Sequence, residues 1–364
     1  MLNNSQDLEL SKQILKKVIK LAQIVEDTLG RHIILMEVCG THTTAISKSG
    51  LRNILAEHME LRSGPGCPVC VTDQTDIDRI LEMARIPDVV IATFGDMVRV
   101  PGTHSSLERE RAQGAQVEIF YSPHEAVVYA AQHQDREIIF LGVGFETTIP
   151  VIALSIAEAK KQGIKNYSVL SVHKLVPPVM RALLKDSELH IDGFILPGHV
   201  CTITGRKVFD FIASEYNIPA AIAGFEPADI MQAIYILLEQ ILHNEAHTVN
   251  GYARLVHEDG NKKAQDIMGE FFQTTDTSWR GFGLVPESGL ALRKGFSHYD
   301  AATRFPVEIP CSPPPEGCSC GEVLKGKLNP NECPLFAETC TPSNPVGPCM
   351  VSSEGACAAY YQYE

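Results

Sequence analysis

Tryptophan is nearly absent, at one residue, and no stretch reaches the roughly 20 consecutive apolar residues that a membrane-spanning helix needs. No membrane partner is therefore expected. Basic residues are also sparse: 31 Lys and Arg face 44 Asp and Glu, for a formal charge of −13. They are scattered, whereas nucleic-acid binding needs a stripe that neutralises phosphates, so no nucleic-acid partner is expected. Residues 1–7 lack a basic segment leading into an apolar run, so no secretory signal and a cytoplasmic location are expected. There is no Gly-Lys-Ser/Thr phosphate loop, and only one C-x-x-C pair.

Cysteine, in contrast, is plentiful. Eleven cysteines in 364 residues, without an export signal, point to a reducing compartment where thiols bind metals or carry electrons. The odd number rules out complete pairing within one chain. Composition is otherwise that of a globular protein, at 45% hydrophobic and 21% charged, with room for two or three domains.

After a helical period over residues 8–29, short apolar runs alternate with Gly/Pro/Thr/His-rich loops and helix-like segments. The runs lie at 33–38, 89–94, 138–143, 168–172, 194–196 and 220–223. Unbroken runs of this length predict strands buried on both faces, hence parallel sheets in an α/β fold. We expect two Rossmann-like lobes, 1–120 and 121–245, and a loop-rich C-terminal iron–sulfur segment over 246–364. Beyond Pro310 proline and glycine dominate, so the tail is expected to rely on a metal for its order.

Ligands of open α/β sheets gather beyond the carboxyl ends of the strands. The residues there include Cys39 and His42, Glu146, Thr147 and Thr148, His173-Lys174, and His199. Cys39 with His42 three residues on suits a thiolate stabilised by an imidazolium, able to attack or to ligate a soft metal. Gly64-Pro-Gly-Cys67-Pro-Val-Cys70 can close a small disulfide ring or supply two ligands, and its proline resembles thiol–disulfide oxidoreductases. Near the C-terminus, Cys320, Cys333, Cys340 and Cys357 follow a C-x12-C-x6-C-x16-C spacing. Zinc sites favour paired short spacings, so this set fits an iron–sulfur cluster better, with zinc as the alternative. Cys318 and Cys349 lie close enough in sequence to compete as ligands, while Cys201 and Cys311 look like bystanders.

Taken together, Glu37-Val-Cys39-Gly-Thr-His42, Gly64–Cys70, the run 140–150 with Gly-Phe-Glu146-Thr-Thr148, Leu196-Pro-Gly-His199-Val and the tail ending Ser-Ser-Glu-Gly-Ala-Cys357 resemble the HypD family of [NiFe]-hydrogenase maturation proteins. The resemblance runs from residue 37 to residue 357. It implies an assembly scaffold with redox activity rather than a conventional turnover enzyme. With a small HypC-like chaperone, such a scaffold carries an iron atom that acquires cyanide and carbon monoxide, the cyanide arriving from HypE/HypF. It further implies iron at Cys39 with His42 beside it, a redox pair at Cys67/Cys70, and a [4Fe-4S] cluster on Cys320, Cys333, Cys340 and Cys357. Glu146, Thr147, Thr148 and His199 are expected to line the cleft. A cluster-dependent protein disulfide reductase and a zinc-stabilised binding module are the competing expectations.

Overall fold

The strands form where apolar runs can be covered. In chain order they are β1 (Ile33–Glu37), β2 (Met59–Ser63), β3 (Val89–Thr93), β4 (Gln116–Ile119), β5 (Glu137–Gly142), β6 (Tyr167–Ser171), β7 (Gly193–Pro197), β8 (Ala220–Ala223), β9 (Thr248–Asn250), β10 (Phe272–Trp279) and β11 (Gly283–Leu292). The computed structural model describes residues 4–309 and 312–364, with residues 4–10 as backbone. Every residue of β3, β7 and β8 is buried, as parallel strands covered by helices on both sides require.

Two parallel sheets result, ordered β2-β1-β7-β8-β9 and β4-β3-β5-β6. The strands do not divide at residue 120. β3 and β4 pair with β5 and β6, while β1 takes β7 as its neighbour, Leu35 opposite Gly193. The chain thus leaves the first sheet after β2, builds the second, and returns.

The α/β expectation holds, and the strands absent from it share a cause. β2, β4 and β9 are all edge strands. β2 alternates buried and half-exposed residues (Met-Glu-Leu-Arg-Ser), and β4 and β9 are short and half-polar, so none shows an apolar run. The β10–β11 ribbon is antiparallel, with a bulge between Thr275 and Thr277.

The outer face of the first sheet is covered by helices Asn4–Leu29 and Pro227–His243, through Val18, Ala22, Ile234 and Leu237. Helices Pro123–Gln132 and Ile149–Gln162 cover the outer face of the second. Between the sheets lies a shared core containing Met36, Leu141, Phe194, Trp279, Cys67 and Cys70. Cys320, Leu324 and Cys349 belong to that same core. The tail therefore gains order from packing, which corrects the expectation of a coreless tail. Among the described residues no helix is long and apolar enough to cross a membrane.

Candidate functional site

Cys39 ends β1 in extended conformation (φ −159°, ψ 122°) and caps the helix Gly40–Lys48. Burial pushes its thiol up to about 12, and the nearby backbone N–H groups of His42 and Thr41 offset that only in part. Glu37 is buried beneath it: Oε2 accepts from Cys39 N at 2.9 Å, and Oε1 accepts from the Thr43 hydroxyl. Desolvation pushes the Glu37 carboxyl up to about 7.

His42 does not play the expected imidazolium role. Its ring is fully buried, Nε2 lies 2.8 Å from the Gly224 carbonyl, and burial lowers its pKa to about 4. The ring is neutral at pH 7, so what favours a Cys39 thiolate from this residue is its backbone N–H and not its ring. Phe225 packs nearly parallel to both His42 and His199, at centroid separations of 4.7 Å and 3.8 Å. His199 itself is exposed.

The other cysteine groups converge on this point. Gly40 N donates to Gly66 O at 2.9 Å, and a Cβ on Gly66 would lie 2.1 Å from Cys39 N. Only glycine lets the loop ahead of Cys67 lie this close to Cys39. Cys67 then caps the short helix Pro68–Val71 and forms a disulfide with Cys70, at a Cα–Cα distance of 5.2 Å. A helix N-terminus follows, Asp73 capping Gln74–Ala84. Both disulfide cysteines are buried, at 3% and 0% exposure, so a bulky protein substrate cannot reach them directly.

The tail folds back over the same region. Its last helix, Ala356–Tyr363, packs on the helix that Cys39 caps. Thr41 Oγ1 donates to Glu354 Oε1 at 2.7 Å, and a Cβ on Gly40 would lie 2.5 Å from Glu354 Cβ. The turn Pro348–Met350 packs on the Cys67–Cys70 turn.

Six thiols, those of Cys318, Cys320, Cys333, Cys340, Cys349 and Cys357, line one small cavity together with apolar side chains. Cys320 Sγ and Cys349 Sγ are 2.7 Å apart. Among the described residues no group of His, Cys, Asp and Glu side chains is arranged to hold a single metal ion. The cavity is about 10 Å3, enough for one water, so a larger guest requires the thiols to move apart. The donor set, thiols in an apolar shell, is that of a soft metal centre. Arg280 Nη2, buried beside this region without a partner, suits a negatively charged guest.

Other expected site residues have structural tasks. Glu146 is buried, accepts from Val176 N at 3.0 Å through Oε1, and leaves Oε2 unpartnered; desolvation pushes it up to about 7. Burial, with Glu146 and Cys39 nearby, raises the Cys201 thiol well above its usual value, so Glu146 stands one residue removed from the Cys39 site. Thr147 is exposed, and Thr148 Oγ1 donates to Phe145 O at 3.1 Å. Lys174 is fully buried, bonded to Asp76 and Thr277 as a tie between a helix and the ribbon. Cys311 lies outside the described residues.

Glu37, Glu354, Phe225 and Arg280 are additions that the sequence reading did not single out. A charged residue closing an apolar strand was the available signal for Glu37; Glu354 and Arg280 gave none, because each acquires meaning only from contacts far along the chain.

The HypD family model, described as the hydrogenase formation hypA family, matches residues 9–364. The hydrogenase maturation factor HypD of Rhodobacter capsulatus is 41% identical over 362 residues, covering 98% of this chain and 96% of the relative. Its Escherichia coli K12 counterpart is 41% identical, covering 96% and 94%. That of Cupriavidus necator is 43% identical, covering 92% and 90%. This protein belongs to the HypD family of hydrogenase maturation factors.

Proposed function

We propose that this chain is a scaffold on which the Fe(CN)2CO centre of [NiFe] hydrogenase is assembled, together with a small HypC-like chaperone and with cyanide supplied by HypE/HypF-type proteins. The observation that carries the reading is the convergence on Cys39 of the disulfide loop, through Gly66, and of the cysteine tail, through Glu354. Cys39 is the anchoring thiol for the cargo iron, shared with a cysteine of the chaperone. Because burial keeps that thiol protonated, taking up iron releases a proton, and the Thr41 and His42 N–H groups stabilise the resulting sulfur charge. Glu37 fixes the Cys39 backbone, and the neutral His42 with Phe225 forms an apolar wall that excludes water.

A [4Fe-4S] cluster, when bound in the cysteine cavity, supplies one-electron chemistry. Cys320, Cys333, Cys340 and Cys357 would hold it, with Cys318 and Cys349 lining the same cavity. The Cys67–Cys70 pair is the thiol redox element. Its burial argues against the alternative, a reductase acting on disulfides of other proteins.

The test is maturation in a strain lacking the native gene. Cys39→Ala is expected to abolish hydrogenase activity while the purified variant keeps its cluster iron. Normal maturation by Cys39→Ala sinks the scaffold reading.

A further inference from the structure

We infer that Arg280 is a positioning residue: a fixed positive charge that joins the Cys67–Cys70 turn to the cysteine cavity and favours negative charge there. The inference rests on the cluster reading above. Arg280 follows β10 and is 6% exposed. Its backbone N donates to Val71 O at 2.9 Å, Nε to Thr72 O at 3.1 Å and Nη1 to Gln74 Oε1 at 3.1 Å. All three acceptors lie within four residues of Cys70, and none carries a charge.

The next residue touches the other centre. Gly281 has φ +84°, and a Cβ there would lie 2.7 Å from the Cα of Gly321, the residue after Cys320. Arg280 is also close enough for its charge to act on the Cys320 sulfur. Its neighbour Trp279 is fully buried, bonded to Ser288 Oγ at 2.8 Å and stacked on Phe145, so the 279–281 segment has little freedom to move.

Nη2 is buried and unpartnered. A guanidinium cannot shed its charge, and an unsatisfied charged donor is costly to bury, so this arrangement calls for a counter-charge. Four thiolates around an iron–sulfur centre carry net negative charge, and one added electron increases it. A fixed cation at this place raises the reduction potential. A loop clamp without an electrostatic role would hold the same segment but would leave the potential unchanged.

The experiment uses the full-length chain purified anaerobically with its iron. It is titrated with dithionite as electron donor in the presence of mediators, one electron per cluster, and the reduced form is read by electron paramagnetic resonance. Arg280→Gln with wild-type iron content is expected to show a lower midpoint potential, and Arg280→Lys a potential close to wild type. A wild-type potential in Arg280→Gln at full iron content overturns this inference and leaves the cluster reading standing. Wild-type protein without iron takes both down. Where Arg280→Gln is recovered colourless, Arg280→Lys decides: full iron and a wild-type potential support the charge role, and a colourless Lys variant overturns it.

Discussion

Thr41 and Glu354 are 313 positions apart, yet the Thr41 hydroxyl donates to the Glu354 carboxylate at 2.7 Å. This bond ties the C-terminal cysteine tail to the first turn of the helix that Cys39 caps. Glu354→Ala is expected to lower stability by about 1.5–3 kcal/mol, the range for a hydrogen bond to a charged group. Denaturant unfolding of the iron-loaded protein measures it, and a Thr41→Val/Glu354→Ala cycle isolates the coupling. An additive cycle would mean that the two residues touch without contributing to stability.

Gly66 makes a sharper case. A Cβ there meets Cys39 N at 2.1 Å and Cys39 Cα at 2.4 Å, both backbone atoms that cannot swing aside. Gly66→Ala should cost more than about 3 kcal/mol or prevent folding. Gly269→Ala is the control: it lies inside the helix Lys262–Phe271 with nothing within 4 Å, so gaining helix propensity should stabilise by up to about 1 kcal/mol. Thermal melts of both variants check the contrast, and similar effects would contradict it.

The cysteine cavity yields a comparison of single variants. Cys333→Ala, Cys340→Ala and Cys357→Ala should each lose most of the cluster iron. Cys320→Ala should lose it as well, while Cys318→Ala keeps it. Iron per chain, measured after anaerobic purification, decides, and the reverse pattern makes Cys318 the fourth ligand.

Much of this was legible in the sequence, for physical reasons. Unbroken apolar runs exposed the central strands, and helices such as 149–162 and 176–184 fill the helix-like segments between them. The edge strands β2, β4 and β9 escaped because a strand with one neighbour tolerates polar residues. The sheet partition escaped as well, since nothing local in 33–63 says that its partner strand begins at Gly193. Spacing also could not separate Cys318 from Cys320, which line the same cavity. The His42 expectation failed because sequence proximity does not reveal that its ring faces the Gly224 carbonyl.

Glu146 predicts a pH dependence. Burial raises its carboxyl from 4.5 to about 7 in the folded chain. The folded state therefore holds the proton more tightly than the unfolded state between those values. Its contribution is fully present below pH 4.5 and is lost as pH rises through 7. Glu146→Gln carries no charge and keeps an acceptor for Val176 N, so it should gain on wild type by roughly 3 kcal/mol between pH 4.5 and pH 8. Urea unfolding at the two pH values measures the difference, and a pH-independent difference contradicts a buried neutral carboxyl.

The central claim is that Cys39 holds the cargo iron while the tail thiols hold a separate cluster. Infrared spectroscopy of the anaerobically copurified complex with its small chaperone tests it most directly. Wild-type complex should show bands of iron-bound cyanide and carbon monoxide, and Cys39→Ala should lose them while keeping the visible absorption of its cluster. Cyanide and carbon monoxide bands that persist in Cys39→Ala would contradict the account.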